Sequence, residues 1–180
     1  MGRESYDVSG VLADRIRTVA DFPAEGTDFY DITPVLSDPA LLTLVVDALA
    51  VTGRMGIDKV AGIESWGYML AAPIAYRLGA GFVPLGKSGR LPWRTHGVDY
   101  AQGDAADRLE VHEDAFQSGD RVLIVDDVLA TGTTAAAAVE LIRACGAVVV
   151  GVSVLLELPA LNGRRRLPEV DIRALHVAER

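Results

Sequence analysis

"RVLIVDDVLATGTTAAAAVELI", Arg121 to Ile142, joins an apolar β-branched run, two adjacent acids, a loop of small hydroxylated residues and a helical stretch. The run Arg121 to Asp127 predicts a buried central strand, and "TTAAAAVELIRAC" predicts the helix after it. In an open parallel sheet the C-terminal ends of the strands form the ligand edge, so Asp126 and Asp127 belong at that edge. The turn Ala130 to Thr134 offers successive backbone N–H groups, the hydroxyls of Thr131, Thr133 and Thr134, a permissive Gly132 and the positive end of a helix dipole. Together these make a cradle for a phosphate monoester. Two carboxylates touching that phosphate would repel it. They must instead face a hydroxyl-rich neutral group such as a ribose diol, or a divalent cation. The sequence contains neither G-x-x-x-x-G-K-[ST] nor G-x-G-x-x-G, which sets aside a P-loop and a dinucleotide fingerprint.

Around this stretch, short β-branched runs alternate with helical ones, an α/β rhythm in a chain of 180 residues, enough for one domain with a sizeable core. "DPALLTLVVDALA" (Asp38 to Ala50) predicts a helix, as does Tyr68 to Leu78. "KVAGI" (Lys59 to Ile63), "GFVPL" (Gly81 to Leu85) and "AVVVGVSVLLEL" (Ala147 to Leu158) predict strands. Lys87 to Arg108 shows no sustained period and is expected to be a long loop, which in a compact domain suits a lid. "NGRRRLPE" (Asn162 to Glu169) is expected to be a solvated basic loop.

Composition narrows the function. A net charge of −8 argues against a nucleic-acid partner. No stretch approaches the roughly 18 apolar residues of a membrane span, and the N-terminus lacks an apolar signal core. Cys145 is the single cysteine, so no internal disulfide forms. The expectation is a cytoplasmic protein without a membrane partner. His96, His112 and His176 show no metal-ligand spacing, and Trp93 is expected in a pocket wall or the core.

The central stretch resembles the phosphoribosyl pyrophosphate (PRPP) binding motif of the type I phosphoribosyltransferases. "VADFPAEGTDFYDITPVLSDPALL" (Val19 to Leu42), "VAGIESWGYMLAAPIAYRLGAGFVPLGKSGRLP" (Val60 to Pro92) and "LEVHEDAFQSGDRVLIVDDVLATGTT" (Leu109 to Thr134) are similar, in order, to blocks of the adenine phosphoribosyltransferases. The resemblance implies an α/β fold: a twisted parallel sheet with helices on both faces, a small hood over about residues 1–35 and a flap over about 87–108, all in one domain spanning 1–180. It implies Mg²⁺ dependence and a homodimer. Residue by residue, Asp126 and Asp127 would hold the ribose hydroxyls of PRPP, directly or through Mg²⁺. Ala130, Thr131, Gly132, Thr133 and Thr134 would hold the 5-phosphate. Ser65 would present backbone amides to the pyrophosphate, and Lys87 and Arg90 would neutralise it as it leaves.

On the acceptor side the chain departs from that family. Tyr30 follows the stacking Phe29 where the family has arginine, and Trp66 replaces the arginine of a small-residue-R-G turn. Gly103 stands where the flap carries its glutamate, with Asp104 one place off, and Asp28 replaces an aliphatic residue. These departures predict an acceptor pocket, formed by Asp28, Phe29, Tyr30, Trp66 and Asp104, altered toward an amine-bearing non-purine such as an aminoglycoside. Adenine is the alternative acceptor, and a non-catalytic PRPP-binding regulator is the alternative class.

Overall fold

The computed structural model describes residues 7–50, 56–102 and 105–178. Its centre is the strand β7 (Arg121–Leu129). Val122, Leu123, Ile124 and Val125 are all fully buried. Successive residues of a strand point to opposite faces. Leu123 and Val125 therefore enter one core with helices α3 (Pro39–Ala50) and α4 (Trp66–Leu78), while Val122 and Ile124 enter a second core under α5 (Thr133–Ala144). Each fully buried aliphatic side chain contributes roughly 1.5–3 kcal/mol. The sheet is thus covered on both faces, as the α/β rhythm requires.

Strands β3 (Lys59–Ile63), β4 (Gly81–Lys87), β7, β8 (Val148–Glu157) and β9 (Ile172–Val177) run parallel in the order β4-β3-β7-β8-β9. The chain leaves β3 toward β4 on one side and returns to pair β7 on the other. The strand order therefore reverses between β3 and β7, and the crevice at their C-terminal ends is the switch point where such sheets bind ligands. Helix α4 reaches that crevice through two glycines. A Cβ on Gly62 would lie 2.8 Å from the Ala71 Cβ, and one on Gly67 would lie 2.8 Å from the Val125 carbonyl oxygen and 3.0 Å from Asp126 Oδ1.

Residues 87–108, expected as a loop, are largely a hairpin. Strands β5 (Thr95–Gln102) and β6 (Ala105–His112) pair antiparallel, and β6 pairs with β4 at Gly86 and Lys87. Leu109 and Val111 are fully buried, with Val98 and Tyr100 packed against the same core. The alternate positions are polar, and Asp99 pairs with Arg108 across the strands at 2.8 Å. That exposed polar face hid the period. Residues 162–169 are mostly exposed, as expected of a solvated loop, but they are anchored. Arg164 forks onto the buried Glu157 with two bonds of 2.7 Å, which anchors a 3₁₀ turn, Gly163–Arg166, beneath the end of β7. Near the N-terminus, β1 (Arg17–Val19) and β2 (Phe29–Asp31) form a separate two-stranded ribbon. Among the described residues no helix is long and apolar enough to cross a membrane.

The close approach of α4 to β7 has a measurable cost if filled. Gly67→Ala drives a methyl group into the backbone of Val125, and such overpacking costs typically 1–3 kcal/mol. Urea unfolding should show that loss, whereas an unchanged midpoint at the same slope would contradict the packing.

Candidate functional site at the sheet switch point

Asp126 and Asp127 sit near the end of β7, Asp126 in register with Val154 of β8. The Asp127 N–H donates to Asp126 Oδ1 at 3.0 Å, so the pair is locked together. Burial first, and then the neighbouring Asp127 charge, push the Asp126 carboxyl well above the ordinary carboxylate range. Burial raises Asp127 as well. Such a pair is poorly solvated and in want of hydroxyl donors or a cation.

Beyond the acids the chain turns through Gly132, at φ +76°, into α5, whose N-terminus has no side-chain cap. The Thr131 and Thr133 hydroxyls lie 2.7 Å apart, and a cavity of about 190 Å³ is lined by Asp126 and by Ala130 to Ala135. Unsatisfied N–H groups and the helix dipole face that cavity, as an anion requires. The loop is braced from below. A Cβ on Gly132 would collide with the Gly163 carbonyl oxygen, one on Gly163 would collide with the Ala130 carbonyl oxygen, and Arg166 Nε donates to the Thr131 carbonyl at 3.1 Å.

An adjoining cavity of about 310 Å³ is lined by Ile63, Glu64, Ser65, Trp66, Lys87, Tyr100, Asp126, Asp127 and Thr134. Ser65 enters it on the turn after β3, through a cis Glu64–Ser65 peptide, and Trp66 begins α4. Lys87 ends β4. Its N–H donates to Glu64 Oε2 at 2.7 Å and its ammonium lies 3.1 Å from Asp107 Oδ2. Arg90 Nε is 4.0 Å from Glu64 Oε1. The Tyr100 hydroxyl donates to Asp107 Oδ2 at 3.0 Å. Burial first, and then the bond to Asp107, raise the Tyr100 phenol, which also interacts with Thr134.

The crevice therefore gathers Ser65, Trp66, Lys87, Asp126, Asp127 and the loop Ala130–Thr134, all singled out from sequence, with Arg90 at its edge. It does not gather the remaining acceptor candidates. Asp28 is exposed, Phe29 packs edge-on against Phe22 at 5.3 Å, and Tyr30 packs against the first core. All three lie on or beside the ribbon and are absent from the lining of the cavity. Gly103 and Asp104 lie outside the described residues. Sequence reasoning missed Glu64, Asp107 and Tyr100 as neighbours of Lys87, and missed Gly163 and Arg166 as braces. Only the period-2 pattern of Val98 and Tyr100 against Leu109 and Val111 could have signalled the hairpin. Of the histidines, His112 Nε2 lies 2.6 Å from the Pro92 carbonyl oxygen and His176 Nδ1 lies 3.0 Å from Ser9 Oγ. His96 and Trp93 are exposed.

An anion cradle beside a half-buried acid pair at a β3/β7 switch point is the arrangement that a phosphorylated sugar requires. The comparisons agree: residues 42–176 match the phosphoribosyl transferase domain. The chain is 54% identical over 170 residues to an adenine phosphoribosyltransferase from Acidothermus cellulolyticus, covering 94% of this chain and 96% of that one. The solved adenine phosphoribosyltransferase from Rhodothermus marinus superposes with a TM-score of 0.92 at 46% identity, covering 95% of this chain and 98% of that one. The Saccharomyces cerevisiae adenine phosphoribosyltransferase, solved with an imino-altritol bisphosphate and adenine, gives 0.88 at 32% identity, covering 93% and 98%. The chain belongs to the adenine phosphoribosyltransferase family of type I phosphoribosyltransferases. It is an enzyme that uses PRPP as donor, which sets aside the regulator alternative. The altered acceptor pocket is not supported, since relatives at this identity carry the adenine name and Asp28 stands outside the cavity.

The acid pair makes a pH prediction. The folded chain holds the Asp126 proton more tightly than the unfolded chain does. Ligand-free stability therefore falls as pH rises from the ordinary carboxylate range through the raised Asp126 value. Asp126→Asn should flatten that fall and raise the neutral-pH melting temperature of the free protein. A variant that melts lower than the parent at neutral pH, with the same pH slope, would contradict the burial argument.

Proposed function

We propose that this chain transfers the 5-phosphoribosyl group of PRPP to adenine, yielding AMP and pyrophosphate. One observation carries the reading: a half-buried carboxylate pair, an uncapped helix N-terminus and a lysine face one crevice lined by flat aromatic rings. In the reaction the ribose C1–O bond to pyrophosphate breaks, the C1–N bond to the base forms, and a ring nitrogen of adenine gives up its proton to the departing pyrophosphate. Asp126 and Asp127 accept hydrogen bonds from the ribose 2- and 3-hydroxyls, which relieves their mutual repulsion as they ionise. The amides and hydroxyls of Ala130 to Thr134 hold the 5-phosphate. Ser65, Lys87 and Arg90 stabilise charge that builds on the departing pyrophosphate, where it raises kcat most. Trp66 and Tyr100 supply the flat walls that a purine needs, with Phe29 and Tyr30 on the ribbon as the remaining acceptor-side aromatics.

The acid pair also suits Mg²⁺, which binds through one or two carboxylates and substrate phosphates rather than a full protein cage. Asp126 and Asp127 would hold the ion, with substrate oxygens supplying the remaining ligands, since no group of three or more candidate ligands occurs among the described residues. When bound, the ion neutralises phosphate charge. The homodimer reading rests on the family resemblance, and light scattering on the purified protein tests it.

The direct test is acceptor-dependent release of pyrophosphate with PRPP and Mg²⁺. Adenine should give AMP and pyrophosphate in equal amounts, and Lys87→Ala should lower kcat by about a hundredfold, the size of losing one charge-stabilising donor. Release driven by an aminated cyclitol or aminoglycoside but not by adenine would overturn the acceptor.

A further inference from the structure

The ion pair between the flap hairpin and the end of β4 has a role that the transfer chemistry above does not use. Lys87 lines the cavity of the acid pair, yet its ammonium is directed to Asp107 of β6 at 3.1 Å. Both Asp107 oxygens are engaged. Oδ1 accepts the Arg108 N–H at 2.8 Å, and Oδ2 receives the Tyr100 hydroxyl at 3.0 Å together with Lys87. The Arg108 bond first, and then those from Lys87 and Tyr100, hold the carboxyl below its usual range, so it is a full anion near neutral pH. Glu64 is engaged differently, since its 2.7 Å bond is to the Lys87 backbone N–H and not to the ammonium.

We infer that Asp107 is a built-in stand-in for pyrophosphate, a positioning residue that holds the Lys87 ammonium in the free enzyme and competes with the leaving group for it. This rests on the reading of Lys87 as a pyrophosphate residue. The carboxylates lining the cavity are Glu64, Asp126 and Asp127, whereas Asp107 reaches it only through its partners Lys87 and Tyr100. An unheld ammonium would be drawn across to the acid pair, where it would block the place of the ribose diol. Held by Asp107, Lys87 stays beside the leaving-group pocket. Pyrophosphate carries more charge than one carboxylate and takes the ammonium on arrival, and after transfer Asp107 reclaims it and assists release. The pair is half-exposed on the lysine side, so its grip is modest and reversible.

The test is the affinity of Mg²⁺-pyrophosphate, measured by calorimetry on the intact protein, with steady-state kinetics alongside. Asp107→Asn keeps the shape and a bond to Tyr100 but removes the charge. Pyrophosphate should bind about two- to fivefold tighter, the span of an exposed ion pair, and KM for PRPP and kcat should fall together as release slows. A merely structural defect would raise KM. Asp107→Ser, a smaller neutral replacement, should shift affinity in the same direction if the asparagine variant folds poorly. In a Lys87→Ala background the Asp107→Asn effect should vanish. Weaker or unchanged pyrophosphate binding in both Asp107 variants, with Lys87→Ala still losing affinity, would overturn the stand-in alone. Pyrophosphate affinity untouched by Lys87→Ala would instead overturn the reading of Lys87 on which it rests.

Discussion

Burying the middle of β7 on both faces forces its polar residues to the two ends, and those that reach the ligand edge to the C-terminal one. Val122 to Val125 have no access to water, and their side chains divide between two cores. The first positions free to be polar are Asp126 and Asp127, and the first turn free to bend is the one through Gly132 into α5. The same constraint recurs in β3, where Val60 to Ile63 are buried and Glu64 and Ser65 open onto the crevice. Placed side by side at the reversal of strand order, these two strand ends form the crevice proposed as the donor site. Glycine sets the distances: Gly67 lets α4 settle against Asp126, and Gly132 and Gly163 let two backbones meet under the phosphate loop.

The parts legible in the sequence are those encoded locally. β7, the loop and α5 form one continuous stretch, and β3 occupies the residues that its β-branched run marks out, Lys59 to Ile63. Helix α4 starts at Trp66, two positions ahead of the expected Tyr68, because the turn at Ser65 leads directly into it. What was not legible is non-local. The hairpin of β5 and β6 shows an apolar side only once Leu109 and Val111 are set against α5, and its other side is as polar as a loop. Arg164 reads as one of three consecutive basic residues until Glu157, seven positions away, proves to be buried and paired with it.

The donor and acceptor halves differ for the same reason. The groups proposed to hold PRPP are backbone amides and acids on contiguous segments, so they can be picked out one motif at a time. The acceptor candidates are spread over the start of α4, the hairpin and the ribbon, and identities at Tyr30 or Asp28 say little before their positions are known. The structure places Trp66 and Tyr100 on the cavity and leaves Asp28 in solvent, which removes the physical ground for an amine-seeking pocket.

The central claim is geometric, that one crevice holds the whole donor. A crystal structure with Mg²⁺, adenine and an unreactive carbocyclic analogue of PRPP tests it most directly. The account predicts the two ring hydroxyls on Asp126 and Asp127, the 5-phosphate on the amides of Ala130 to Thr134, pyrophosphate at Ser65 and Lys87, and adenine beside Trp66. A 5-phosphate bound away from the α5 N-terminus, or hydroxyls with no contact to the acid pair, would contradict it.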